Sequence, residues 1–405
     1  MIRNCLMISY DCFRADFSYS GKLSSVERLR KEGAAFARAI SSAPLTPISH
    51  ATVFTGLQPS GHGVRHLLKE KIRRDIPILA EILRDHGYLT AGFVACPGLN
   101  RWYGFDRGFT IYKDNMPLLP DGSDPMGCVD VEKRGLACRN AAEILAESIR
   151  FLRTQAHTPF FLFTHFFDAH WPYRTPDDFD PGLVNHPYEK AALYVDRHVS
   201  ILLEMLDDMG IFDETLVVAF GDHGEDLNGF YPNDHGGVEN GHPEEHGHGC
   251  LLYNSTQWVP LIFRFPHEVP AGLSVQSQVR LVDVMPTVLD LLQIKIPAGL
   301  DGETLKPLFT NNGLDRPAYF ETFYLEEHPE RMALGIGARG RQGIQLRANG
   351  NEWKAIWAVG VGSDSSEAVE LYDLVRDPNE INNIFSASGC ILGIEQTTSK
   401  EDSDG

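Results

Sequence analysis

Apolar runs of strand length alternate with stretches of helical spacing through the first three hundred residues. Cys5–Tyr10, Thr90–Ala95, Phe160–His165, Leu216–Phe220 and Leu261–Phe265 read as buried strands, with Val26–Lys31, Ile76–His86, Arg139–Gln155 and Tyr188–Met209 as the helices between them. That alternation predicts an α/β fold: a mostly parallel central sheet with helices on both faces. Leu281–Leu292 adds a helix, and Pro297–Gly302 is a turn-rich exit from it. After about Asn311 the texture changes. Short β-like pieces, Ala318–Phe323, Gly343–Arg347 and Trp353–Val359, are separated by Gly, Asn and Ser, which predicts a small C-terminal antiparallel subdomain. The expected division is a main domain over residues 1–310, a small α+β subdomain over 311–390, and a polar, acidic, disordered tail over 391–405.

Two of the strand-like runs end in groups that carry chemistry. Asp11 closes the first, and Gly221-Asp222-His223-Gly224-Glu225 closes the fourth. Open α/β sheets bind ligands at the carboxyl ends of their strands, and carboxylates with imidazole at that edge make a metal site. Ser41–Gly56 begins as a small-residue loop and turns helical at Ser49 or nearby, so Thr46 stands at a helix N-terminus. Such a terminus favours anions, although a plain capping role for Thr46 or Ser49 also fits. Thr164–Tyr173 follows the Phe160 run, so its polar residues emerge at the same edge.

Composition narrows the function. A chain of 405 residues that is 43% hydrophobic buries a large core. Its net charge of -19 argues against a nonspecific nucleic-acid or anionic-membrane binder. Bound cations would offset that charge locally at a site for anions. Seven cysteines without CxxC or CxxH spacing give neither a disulfide framework nor a structural zinc site. No apolar run reaches the length of a signal peptide or a membrane span, so the expectation is a cytoplasmic protein. The His- and acid-rich run Asn233–His248 reads as a solvated lid in which only His248 has a role, and Arg14, His62 and His66 default to structural positions.

Together, the ordered motifs resemble the alkaline phosphatase superfamily, specifically its sulfatase-like branch, over nearly the whole chain. Thr46–Gly56 is similar to the nucleophile segment, which in true sulfatases reads Cys-x-Pro-x-Arg, ends in Thr-Gly, and precedes a His-Gly pair, matched by His62-Gly63. Gly221–Glu225 is similar to the Asp-His-Gly-Glu metal motif, and Tyr253–Pro266 to the strand following a Lys or His, matched by His248. Val282–Thr287, Glu370–Leu374, Asp377-Pro378 and Asn382-Asn383 match later landmarks.

The resemblance implies that Asp11, Asp222 and His223 hold a divalent ion with the Thr46 oxygen as a further ligand. Zn²⁺ or Mn²⁺ suits oxygen donors with one imidazole, and Ca²⁺ or Mg²⁺ is the alternative. It also implies two readings of Asp168, His170 and His248. Either the three bind a second ion, or His170 and His248 hydrogen-bond the substrate and protonate the leaving group. Three positions depart from the family pattern. Thr46 replaces the Cys or Ser that becomes formylglycine, His50 replaces the Arg and takes its place on the substrate, and Cys12 replaces a second Asp common in sulfatases. Threonine is not a substrate for formylglycine formation, whereas a phosphorylated threonine can be opened by water at phosphorus. The expected activity is therefore metal-dependent hydrolysis of phosphoric or phosphonic esters by Thr46 as covalent nucleophile, with a small anionic ester as partner. Sulfate-ester hydrolysis, phosphoryl transfer to an alcohol, and a catalytically silent metal-binding protein are the alternatives. Homo-oligomerisation stays open.

Overall fold

Uninterrupted apolar sequence makes strands that are buried on both faces. In the computed structural model, β1 (Asn4–Tyr10), β5 (Phe160–Phe166) and β6 (Thr215–Gly221) are of this kind, with nearly every residue buried. They are the centre of a nine-stranded sheet completed by β2 (Ala34–Ile40), β3 (Leu89–Phe93), β4 (Ile111–Lys113), β7 (Trp258–Val259), β8 (Leu261–Arg264) and β9 (Leu273–Arg280). The structure describes residues 4–128, 130–155, 158–236, 247–310, 315–328, 340–348, 350–359 and 369–385.

Strands β4, β3, β5, β1 and β6 lie side by side and parallel. β8 runs antiparallel between β6 and β2, and β9 pairs parallel with β2. This is the expected mostly parallel α/β sheet. Its register sets the site, because Tyr10 lies level with both Phe166 and Gly221. The chain therefore leaves β1, β5 and β6 at one edge, carrying Asp11, Phe167–His170 and Asp222 out together. Five longer helices flank the sheet, Ser24–Glu32, Leu79–Asp85, Ala141–Gln155, Pro187–Asp208 and Val284–Leu291. The Thr46–Thr55 helix is different. All ten of its residues are buried, and Gly56 ends it at φ 66°, a left-handed conformation that glycine adopts without steric cost.

The smaller sheet is antiparallel in the order β10 (Ala318–Thr322), β11 (Arg341–Ala348), β12 (Asn351–Ala358) and β13 (Val369–Asp373). It is anchored to the main domain by a buried cation. Lys354 Nζ on β12 meets Glu380 at 2.7 Å, Asn254 Oδ1 at 2.8 Å and the Leu252 carbonyl at 3.2 Å, and both charged side chains are fully enclosed. Lys354→Ala would strand the Glu380 carboxylate in the interior. Chemical denaturation should show a loss of about 3–5 kcal/mol, and an unchanged midpoint would contradict this anchoring role. The expected tail, 391–405, lies outside the described residues, as do positions 311–314 beside the expected boundary at residue 310. Among the described residues, no helix is long and apolar enough to cross a membrane, and six cysteines are free thiols.

Candidate active site

Parallel pairing puts two carboxylates side by side. The Asp11 amide donates to the Phe166 carbonyl at 2.9 Å and the Asp222 amide to the Tyr10 carbonyl at 3.3 Å, so both acids are fixed one residue beyond their strands. Both are fully buried. Asp222 Oδ1 accepts the amides of His223 at 2.8 Å and Cys12 at 3.2 Å, whereas Oδ2 has no hydrogen-bond partner. Burial and the charge of Asp11 push the Asp222 carboxyl well above its ordinary range. Asp11 is held low: burial works against its charge, but the His165 hydrogen bond at 3.0 Å and the neighbouring imidazoles outweigh it. An orphaned, enclosed carboxylate oxygen beside a second carboxylate is what a divalent cation satisfies. Ligand atoms of Asp11, Cys12 and His223 also lie within 4.8 Å of one another, so the residues fit such an ion.

Thr46 opens its helix directly above this pair. Its hydroxyl donates to Asp11 Oδ2 at 3.1 Å and lies 3.3 Å from His223 Nε2. His223 Nδ1 sits 2.9 Å from the Gly224 carbonyl, which fixes the proton on that nitrogen and leaves the Nε2 lone pair toward Thr46. Ser41 and Ser49 both donate to the Asp222 carbonyl at 2.6 Å, tying the helix start to the end of β6. The helix begins at Thr46 itself, three residues before the expected Ser49.

His50 does not occupy the substrate position expected for it. A residue four places on lies over the preceding turn. The His50 ring accordingly packs beneath Thr46, fully buried, with Nδ1 donating to the Thr46 carbonyl and Nε2 accepting from Ser9 Oγ, both at 2.8 Å. Burial lowers its pKa to about 3, so it is a neutral strut.

A cavity opens over Thr46 between His170, Trp171, His248, Arg134, Leu68 and Tyr324. His170 Nδ1 donates to the Trp171 carbonyl at 2.6 Å, and its ring centroid is 4.7 Å from that of His248. Burial, reinforced by the charge of His248, lowers His170 to about 4. His248 Nδ1 lies 2.8 Å from Glu225 Oε2, while Tyr173 donates to Glu225 Oε1 at 2.9 Å. Burial pushes Glu225 up to about 7.

Asp168 departs from the group expected for a second ion. It turns back to the start of the Ala141–Gln155 helix, where Oδ1 accepts the Ala141 amide at 3.1 Å, and burial raises it to about 7. Cys12 takes its place: its sulfur and a ring nitrogen each of His170 and His248 lie within 4.8 Å of one another. The thiol is 3.6 Å from His248 Nδ1 and 3.0 Å from Asp11 Oδ1, and burial with the charges of Glu225, Asp11 and Asp222 holds it protonated. Of the His-rich run, residues 237–246 lie outside the described residues. Arg14 is structural, fully buried between Asp16 and Asp234.

A family model described as "Sulfatase" matches residues 3–294, and one described as "N-sulphoglucosamine sulphohydrolase, C-terminal" matches residues 245–397. Among curated proteins, an N-acetylglucosamine-6-O-sulfatase of Bacteroides thetaiotaomicron is 28% identical over 204 residues, covering 49% of this chain and 31% of the relative. An ulvan-active sulfatase of Formosa agariphila is 24% identical over 362 residues, covering 76% and 65%. The chain thus spans from 31% to 65% of the length of these relatives. Among solved structures, a phosphonate monoester hydrolase of Agrobacterium radiobacter superposes with a TM-score of 0.71 at 20% identity, covering 94% of this chain and 91% of that one. A protein solved in complex with its substrate D-glucosamine-2-N,6-O-disulfate gives 0.69 at 18% identity, covering 96% and 94%.

Proposed function

Because the chain belongs to the sulfatase family, whose model matches residues 3–294, we propose that it is a metal-dependent hydrolase with Thr46 as covalent nucleophile, acting on phosphoric or phosphonic esters. The observation that carries this reading is Thr46 itself, an alcohol that is not a formylglycine precursor, hydrogen-bonded to a buried carboxylate. The fold is shared by proteins named for sulfate and for phosphonate esters, so the fold does not choose between the chemistries.

In the proposed reaction, Thr46 Oγ1, oriented by its hydrogen bond to Asp11 Oδ2, releases its proton to solvent and attacks phosphorus. The bond from phosphorus to the leaving oxygen breaks, and that oxygen takes a proton from His248, whose imidazolium is stabilised by the Glu225 carboxylate behind it. Water, giving a proton to His248, then attacks the phosphothreonine at phosphorus; the bond to Thr46 Oγ1 breaks, that oxygen regains a proton from solvent, and phosphate or phosphonate leaves. A divalent ion held by Asp11, Asp222 and His223, preferentially Zn²⁺ or Mn²⁺ for this donor set, would supply the Lewis acidity that lowers the hydroxyl pKa and offsets the charge of the ester.

A panel of nitrophenyl phosphate, bis-nitrophenyl phosphate, phenylphosphonate esters and nitrophenyl sulfate, run with added Mn²⁺ or Zn²⁺, tests the assignment. Phosphorus esters should be turned over far faster than the sulfate. The names of the curated relatives favour sulfate esters as the second reading, and a sulfate rate equal to or above the phosphate rate would establish it.

The acid role of His248 has its own signature. His248→Ala should slow esters with poor, alkyl leaving groups by about 10²- to 10⁴-fold and nitrophenyl esters far less, at unchanged metal content. A parallel loss of one bound ion per chain would instead make His248 a metal ligand with Cys12 and His170.

A further inference from the structure

Three arginines are buried among the described residues, and two of them are matched by carboxylates: Arg14 by Asp16 and Asp234, Arg264 by Glu32 and Asp213. Arg134 is not. It is 8% exposed and lines the cavity above Thr46, yet its hydrogen-bond partners are uncharged, Met126 Sδ at 3.1 Å from Nη2 and the Tyr103 side chain, and among the described residues no carboxylate pairs with it. A guanidinium cannot shed its proton, and an enclosed cation without a counter-charge is costly. In a chain of net charge -19, with carboxylates abundant, this cation is left facing a cavity.

Its place in that cavity says which part of a ligand it meets. The adjacent residue, Gly135, borders His170: a Cβ built on it would lie 3.7 Å from His170 Cε1. Arg134 makes no hydrogen bond to Thr46, Asp11, His223 or His248, with which it shares the cavity or its floor. Leu67, Leu68, Pro97, Trp171 and Tyr324 make the rest of that wall largely apolar.

We infer that Arg134 binds a second anionic group carried by the alcohol part of the substrate, so that the enzyme prefers esters whose leaving group is an apolar frame bearing a carboxylate. The planar fork takes a carboxylate in two parallel hydrogen bonds. This rests on the ester-hydrolase reading above for its kinetic test, but its binding test does not.

The experiment compares the metal-loaded full-length protein with Arg134→Gln and Arg134→Lys, using 4-carboxyphenyl phosphate, phenyl phosphate, and calorimetric titration with 4-hydroxybenzoate and phenol. Arg134→Gln should raise KM for the carboxyphenyl ester by roughly 10- to 100-fold, with a far smaller change for phenyl phosphate, and Arg134→Lys should restore part of the difference. Hydroxybenzoate should bind the unsubstituted protein more tightly than phenol, and that preference should vanish in Arg134→Gln. Equal losses on both esters would place Arg134 on the reacting group and overturn the inference, as would no change on either. If neither ester is turned over, the hydrolase reading fails. The titration then decides Arg134 alone, with retained hydroxybenzoate preference in Arg134→Gln as the overturning result.

Discussion

Thr46→Ala should remain folded and lose at least about 10³-fold in kcat/KM. The substitution removes one hydroxyl and one methyl group at the first position of a helix where alanine is a good former, so the fold has little reason to change. Chemistry loses more. The hydroxyl is the group that would carry the phosphoryl intermediate, and it is the oxygen presented 3.1 Å from Asp11 Oδ2 and 3.3 Å from His223 Nε2. Thr46→Ser keeps that oxygen without the branched carbon that restricts its rotamer, and should retain part of the rate. Near-normal turnover in the alanine variant would mean that water attacks directly.

The second large effect concerns Asp222. Asp222→Asn keeps an oxygen for the amides of Cys12 and His223 but replaces the orphaned, charged Oδ2. Metal affinity should fall with the lost carboxylate, taking activity down by about 10³-fold or more. Stability should respond in opposite senses. Without metal, the asparagine variant should be the more stable protein, because an acid that burial and Asp11 keep from ionising is replaced by a neutral amide. With metal, the unsubstituted chain should gain stability that rises with the logarithm of free metal above its Kd. Thermal melts with and without a chelator read both effects, and equal metal content in the two proteins by elemental analysis would refute the assignment of Asp222 as a ligand.

Much of this site is legible in the sequence because its acids close apolar runs. Asp11, Asp222 and His223 follow strands that few polar residues interrupt, and parallel order then brings them to one edge. His165 was hidden by the same rule. It lies inside the run Phe160–Phe166 and reads as core, and only the pairing of β5 beside β1 turns its ring onto Asp11. Glu225 stood in a recognised motif without a role, since its partner His248 is 23 positions away. His50 stands where the resembled family has a substrate-binding Arg, but helix side chains lean toward the N-terminus, which placed its ring on the Thr46 carbonyl. The resemblance offered Asp168 as a ligand for a second ion, but its carboxylate accepts the Ala141 amide at the start of a helix instead. Strands β2 and β9 escaped for local reasons. β2 is Ala-rich and weak in β-propensity, and in β9 the polar residues of Leu-Ser-Val-Gln-Ser-Gln-Val-Arg mask an alternation that was present. Arg134 sits in a short helix, Val131–Gly135, that carries no periodic signal.

Rapid quenching during turnover of nitrophenyl phosphate, followed by peptide mass spectrometry, tests the central claim most directly. The account predicts an unmodified threonine at position 46 in the resting protein and a phosphoryl group on that residue in the quenched sample, absent from Thr46→Ala. Turnover at full rate with no phosphoryl group on residue 46 at any quench time would contradict it.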